Sequence, residues 1–301
     1  MRKNRGMLIA FLTPALLFFI AIFVYPIVRT VLMSFYYVES VTAATSEWSF
    51  TGISNYISLM NTTLFRTSMW NLFRIWSVGG IVVMAIALLF AVILNSGIRF
   101  KRFFRAAIYM PNIISAVALA TMWLQYVFNT RFGLLTTLFE SLGLTELAKV
   151  QWTDADHMFW AMLFAYCFGM VGYHMLIFSS GIEKIPADLF EASTIDGASK
   201  PQQFTHITLP LLHGVFKTNI TMWSITSVGF FVWSQLFSAV TASNQTITPM
   251  VYLYLQVFGA GNAVTERNAG LGAAVGVVMG ICVVCVFLLT NLLIKNDDME
   301  F

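Results

Sequence analysis

A chain of 301 residues that is 58% hydrophobic and only 10% charged lies outside the ordinary soluble class, in which about a quarter of residues are charged. Its formal charge of +3 makes no case for nucleic acid, because the lysines and arginines gather beside apolar runs, where membrane topology accounts for them. The three cysteines, Cys167, Cys282 and Cys285, lie inside apolar runs without polar company, so they read as small core residues and not as a redox pair or metal ligands.

A helical crossing of a bilayer core about 30 Å thick takes roughly 20 apolar residues, each rising about 1.5 Å. Stretches 7–28, 75–94, 106–128, 158–182, 219–240 and 269–294 meet that length, which predicts an all-α integral membrane protein with six transmembrane helices, one domain over 1–301. The first stretch follows Arg2, Lys3 and Arg5 but is too long for the apolar part of a signal peptide. Tyr25, Pro26 and Ile27 stand where a small-residue cleavage site belongs, so the stretch reads as a retained helix kinked near Pro14 or Pro26. Arg99, Lys101, Arg102, Arg105, Lys184, Lys200, Lys217 and Lys295 then share the side of the amino terminus, which puts both termini in the cytoplasm of a cell membrane. The run from Arg99 to Arg105 reads as a topology signal, with contact to anionic membrane lipid as the alternative. The opposite loops, 39–70, 129–157 and 241–268, are poor in charge and carry Trp48, Trp70 and Trp152, as expected near a membrane–water interface.

All 14 acidic residues fall outside these stretches, so no intramembrane carboxylate is available to bind a coupling ion. No phosphate-cradling G-x-x-x-x-G-K-[ST] loop occurs either, so any ATP hydrolysis belongs to a partner. The missing intramembrane carboxylate argues against an ion-gradient-driven carrier or channel. An intramembrane enzyme is disfavoured too, for want of paired carboxylates, a nucleophile with its base, or a ligand cluster. The two halves show no internal similarity, which favours a symmetry mate in another subunit.

The loop at 183–213, between the fourth and fifth stretches, is rich in special residues. Pro186 suits the first turn of a helix running to about Ile195, with Leu189, Phe190, Ala192 and Ser193 as a modest packing face. Gly197 stops that helix by permitting positive φ. Ser199 opens a second one, with Pro201 near its start and Gln202 at capping-box spacing, and Pro210 closes the unit. The pattern predicts a compact helix-turn-helix knuckle.

Here the chain resembles the permease subunits of binding-protein-dependent ABC importers, whose cytoplasmic signature runs E-A-A, D-G-A, F and I-x-L-P. The matching residues are Glu191, Ala192 and Ser193, then Asp196, Gly197 and Ala198, then Phe204, then Ile207, Leu209 and Pro210; Ser193 departs from the third letter but is also small. The resemblance implies a coupling helix seated in a cleft of an ATPase subunit, with Glu191 pairing with an arginine there, Gly197 as the turn, and Leu209 and Pro210 as the anchor into the fifth span. It further implies a second homologous permease, two ATP-binding subunits that hold ATP and Mg, and an extracellular or periplasmic solute-binding protein, with no cofactor and no covalent chemistry on this chain. Residues 12–17, Tyr25 with Pro26, Ser34 with Phe35, 52–56, 105–111, Trp123 and 182–186 look like the carbohydrate-importing branch. The T-x-G-G-P segment common after the fifth span in that branch is replaced by residues 241–249. A sugar is therefore expected as cargo; a polyol phosphate, a polyamine or an amino acid is the alternative.

Asn219, Thr221, Trp223, Ser224, Thr226, Ser227, Trp233, Ser234 and Gln235 load the fifth stretch with hydrogen-bonding groups that a lipid-facing helix does not tolerate. Trp223, Ser227 and Ser234 fall on roughly one helical face, so the stretch either lines a sugar path or hydrogen-bonds to neighbouring helices. Tyr173 and His174 lie inside the fourth stretch, where the imidazole is either a path residue or a neutral packing group. Gly270, Gly272, Gly276 and Gly280 in the last stretch permit close packing, within the chain or at a subunit interface.

Overall fold

A computed structural model describes residues 5–238, 244–259 and 267–294. The main helices in chain order are α1 (Ala10–Met33), α2 (Thr63–Asn95), α3 (Lys101–Ile113), α4 (Ala116–Val127), α5 (Met158–Ile182), α6 (Ala187–Ile195), α7 (Lys200–Gln203), α8 (His213–Val228), α9 (Val232–Phe237), α10 (Pro249–Phe258) and α11 (Ala269–Leu293). Among the described residues, α1, α2, α5 and α11 are long and apolar enough to cross a membrane, and α3 with α4 makes a fifth if the bent pair counts as one span.

Three expectations change. The third stretch is broken: α3 and α4 meet at 97°. Pro111 leaves a backbone acceptor of α3 without its N–H partner, Ile114 then goes extended, and the Ser115 side chain accepts from Ala118 N at 3.2 Å to start α4 afresh. The fifth stretch is not one helix, because α8 stops at Gly229 and α9 starts at Val232. The single face proposed for Trp223, Ser227 and Ser234 is therefore divided between two helices. The loop 241–268 holds a short apolar helix, α10, that no long hydropathy window detects. Near Pro26, α1 contains a π-helical turn at Ile20–Val24, and the helical run continues through Pro14.

The chain divides into two compact units, Met1–Arg66 with Pro249–Ile281, and Thr67–Thr248 with Cys282–Phe301. In the first, strands β1 (Tyr36–Tyr37) and β2 (Ser49–Phe50) pair antiparallel, Tyr36 facing Phe50. Asn55 Nδ2 donates to the carbonyls of Ser34 and Tyr36 at 2.9 Å each, and Met33, Val38, Ala269 and Ala273 form a small core. The glycine series of α11 serves internal contacts here. A Cβ on Gly270 would strike the Tyr36 carbonyl, and one on Gly272 would lie 2.6 Å from Val257; Gly280 faces open space.

The second unit is built around α5, which has 67% of its apolar stretch buried against 33% in α2. Val83, Ala87, Ala91 and Leu94 of α2, spaced on one helical face, belong to the same buried core as Ala161, Ala165, Met175 and Phe178 of α5. At Gly172 of α5 a Cβ would meet the Ile108 carbonyl and, at 2.6 Å, Tyr109 Cα, so α3 lies with its backbone directly on α5. Further along the same face of α5, Trp123 of α4 packs edge-on to Phe164 and Phe168, with ring centroids 5.5 and 5.4 Å away.

Candidate functional site

The loop 183–213 leaves α5 at Glu183. Its carboxylate accepts from Lys101 Nζ at 3.0 Å and Arg105 Nη2 at 2.5 Å, both on α3. The Lys101 hydrogen bond first, and the Arg105 bond second, hold this carboxyl below the usual glutamate range. Pro186 takes the position just before the first helical residue of α6, one place earlier than expected. At the far end Gly197 has φ +80°, Gly197 N donates to Thr194 O at 3.1 Å and Ala198 N to Ser193 O at 2.9 Å. These two bonds are the Schellman closure that a left-handed glycine allows. Ser199 then caps α7, its backbone N–H donating to Gln202 Oε1 at 2.7 Å as the spacing predicts.

What holds α6 against α7 is Gln203, a residue without a sequence signal. It is only 4% exposed. Its Nε2 lies 3.2 Å from the Phe190 carbonyl, 2.9 Å from Ser193 Oγ and 2.9 Å from Thr194 Oγ1, while its Oε1 accepts from Lys200 at 3.1 Å. Ser193, the departure from the signature, thus has a use for its hydroxyl. Phe204 and Ile207 are half-buried in a π-helical turn, Phe204–Thr208. Leu209 and Pro210 are exposed, and the fully buried residue at the entrance to α8 is Leu212.

The outer face of this unit carries Glu191, Ala192 and Asp196, all exposed, together with Leu189 and with Ile195 at 87% exposure. Neither Glu191 nor Asp196 makes an ion pair among the described residues. A rigid knuckle that presents exposed apolar side chains beside unneutralised carboxylates is suited to a partner with a basic, partly apolar cleft.

The second group of candidates separates into two places. His174 is fully buried on α5 and its Nδ1 lies 2.7 Å from Asn219 Oδ1 of α8; Asn219 Nδ2 donates to Val215 O at 3.1 Å. Half-buried Tyr173 stands edge-on to the imidazole at 5.1 Å, and Trp223 at 5.7 Å. Trp223 Nε1 donates to the Trp76 carbonyl, and Trp76 Nε1 to Ser224 Oγ, both at 2.8 Å. Ser227 reaches an apolar cavity of about 210 Å³ lined also by Met69, Phe73, Trp76 and Cys282, and its Oγ has no hydrogen-bond partner among the described residues. Ser234 and half-buried Gln235 sit on α9, away from that group. Ser234 Oγ donates to Thr246 O at 2.6 Å. Asn71 of α2 fastens the same segment, its Nδ2 donating to the carbonyls of Asn244 and Gln245 at 3.2 Å and of Ile247 at 2.9 Å.

Residues 83–296 match the family described as binding-protein-dependent transport system inner membrane component. The chain belongs to this family. It is a multi-pass membrane transport component, and the resemblance drawn from the loop signature holds. Among curated relatives, the arabinooligosaccharides transport system permease protein AraP of Bacillus subtilis is 33% identical over 288 residues, covering 93% of this chain and 86% of the relative. The protein of the same name from Halalkalibacterium halodurans is 29% identical, covering 89% and 81%. The fold is that of a chain in the crystal structure of a bacterial ABC transporter involved in the import of the acidic polysaccharide alginate. That match has a TM-score of 0.81 at 17% identity and covers 98% of this permease and 97% of its counterpart.

Proposed function

We propose that this permease is the transmembrane subunit of an ATP-driven importer and that, with a second homologous permease, it forms the path for a sugar or oligosaccharide. Two ATP-binding subunits, which carry the ATP and Mg, dock on the 183–213 loop, and a solute-binding protein delivers cargo from the opposite side. The observation that carries this reading is the family match over 83–296 together with an exposed, internally stitched knuckle bearing Glu191, whose carboxylate makes no ion pair among the described residues. The relatives named for arabinooligosaccharide transport support an oligosaccharide cargo.

In this reading the chain crosses the membrane six times with both termini cytoplasmic. The bent pair α3–α4 is one crossing, and α8 and α9 in series make another, α8 alone spanning about 24 Å at about 1.5 Å for each of its 16 residues. Glu191, Ala192, Ser193, Asp196, Gly197, Phe204, Ile207, Leu209 and Pro210 belong to the docking unit. The cargo path draws on Tyr173, His174, Asn219, Trp223, Ser227, Ser234 and Gln235, which combine aromatic faces with hydroxyl and amide groups suited to a sugar.

Uptake of labelled linear arabino-oligosaccharides by the co-purified complex in liposomes, with polyol phosphate, polyamine and amino acid as comparison cargoes, tests the substrate class. Transport that runs on an ion gradient without ATP refutes the importer. Glu191→Ala removes one side of a charge pair and is expected to weaken capture of the ATPase subunits at least about tenfold. Gly197→Asp places a side chain at φ +80°, a strain of about 1–2 kcal/mol, and is expected to do the same. Both variants insert into the membrane normally; unchanged capture and uptake in both rejects the docking assignment.

A further inference from the structure

Glu183 lies outside the exposed face of the knuckle, yet it pairs with two cations at once. Its Oε1 receives Lys101 and Arg105 together, at 3.0 and 2.5 Å. The same two cations reach further. Lys101 Nζ donates to Asn95 Oδ1 at 2.6 Å, Arg105 Nη2 donates to Ser179 Oγ at 2.7 Å, and Asn95 Nδ2 donates to Ser179 Oγ at 2.9 Å. The end of α2, the start of α3 and the end of α5 are thereby joined in one polar knot, with Glu183 as the only carboxylate among the described residues that pairs with those cations.

The knot is one of three places where α3 is fastened to α5; at a second, Asn112 Nδ2 donates to the Gly169 carbonyl at 3.3 Å. The third is Gly172, where the backbones of α3 and α5 touch without an intervening side chain. Gly172 and Glu183 are joined by unbroken helix up to Ile182, and four residues after Glu183 the chain enters α6. At the opposite end of α3 the fastening is the neutral amide of Asn112, with no charged pair among the described residues, and at Ile114 the chain leaves the helix and turns 97° into α4. A body held by charged pairs at one end and by neutral contacts along its length, with a break at its far end, passes a displacement of the charged end on to the break.

We infer that Glu183 couples the ATPase-docking loop to α3, so that displacement of the loop by ATP changes the α3–α4 bend; this rests on the docking reading proposed above. Glu183 is a positioning residue. It acts through Lys101 and Arg105 and has no contact with cargo. The chemistry favours a carboxylate here because charge-assisted hydrogen bonds are shorter and stronger than neutral ones, and because two adjacent cations need an anion to stay together. A glutamine of equal size accepts a hydrogen bond and leaves the cations opposed.

The test reads the bend itself. Spin labels are placed at Phe103→Cys and Tyr126→Cys, both exposed and on either side of the break, after replacing Cys167, Cys282 and Cys285 by serine. Pulsed electron double resonance is recorded on the complex co-purified with the full chain, before and after ATP, Mg and vanadate. The expected result is a wild-type shift of about 2 Å or more, the scale of helix displacements in switching proteins. Glu183→Gln is expected to reduce that shift at least threefold while capturing the ATPase subunits within twofold of wild type. The exchange pair Glu183→Lys with Lys101→Glu, which restores one anion among two cations, is expected to recover it. An undiminished shift in Glu183→Gln, or a shift absent from a wild-type complex that does contain the ATPase, overturns the inference alone. A wild-type chain that captures no ATPase overturns the docking reading, and this inference with it.

Discussion

Replacing Gln203 by alanine isolates the stitch between α6 and α7. The Phe190 carbonyl keeps two other donors, Ser193 Oγ at 2.9 Å and Thr194 Oγ1 at 2.7 Å, so the substitution leaves it satisfied. What is lost is the amide's own donation. Its NH2 group carries two hydrogens, and each net hydrogen bond contributes about 0.5–1.5 kcal/mol, so the local loss is about 1–3 kcal/mol. At about 2 kcal/mol, opening of the knuckle becomes roughly 30-fold more frequent. Hydrogen exchange followed by mass spectrometry of the full chain should therefore accelerate by about that factor across 187–203 and remain unchanged in α5. Ser193→Ala removes one of the three acceptors and should have an effect under about 1 kcal/mol. In the double variant the two effects should be less than additive, because they remove the same contact. Exchange that stays at the wild-type rate in Gln203→Ala, or accelerates equally throughout α5, refutes the reasoning.

The pairing of Glu183 makes stability depend on pH with a defined sign. Its carboxyl is held below the usual range, so the stabilisation is complete above the unfolded value of about 4.3 and disappears as pH falls through the lowered folded value. The groups are partly exposed, which keeps the contribution below about 1 kcal/mol. The difference in Tm between wild type and Glu183→Gln should thus be present at neutral pH and vanish in acid; a gap that persists or widens in acid contradicts the assignment. Gly172→Ala forces a methyl group against the backbone of α3 and should destabilise the complex by about 1–3 kcal/mol, read as a lower Tm, whereas Gly280→Ala, facing open space, should not.

The knuckle was legible in the sequence because each of its turns depends on one residue with a backbone peculiarity: Pro186 before the helix, Gly197 at positive φ, Ser199 with Gln202 at a cap. The stitch was not, since Gln203 acquires its meaning only when α7 folds back on Phe190, Ser193 and Thr194. The long apolar helices α1, α2, α5 and α11 were visible in hydropathy, but α2 starts at Thr63, about three turns before the apolar run. Hydropathy measures transfer from water and is blind to chain direction. It therefore reads 106–128 as continuous, although the chain turns sharply after Ile114. The same blindness joined α8 to α9 across Gly229, and it overlooked α10, which has only 10 residues. Of the candidate path residues, the proximity of His174 to Asn219 is a property of two helices together, and spacing within either one does not reveal it.

Asn71 gives the molecule a timetable. This fully buried amide donates to carbonyls 173 to 176 residues further along the chain. At synthesis rates of about 5–20 residues per second, roughly 10 to 35 s pass between the appearance of the donor and that of its acceptors. Throughout that interval the Asn71 Nδ2 group lacks those acceptors, although its Oδ1 accepts locally from Arg74. Biogenesis of this subunit therefore cannot finish helix by helix in order of emergence. A nascent chain stopped before residue 244 lacks all three carbonyls, so the donor half of this buried amide is met only when the segment at 244–247 arrives.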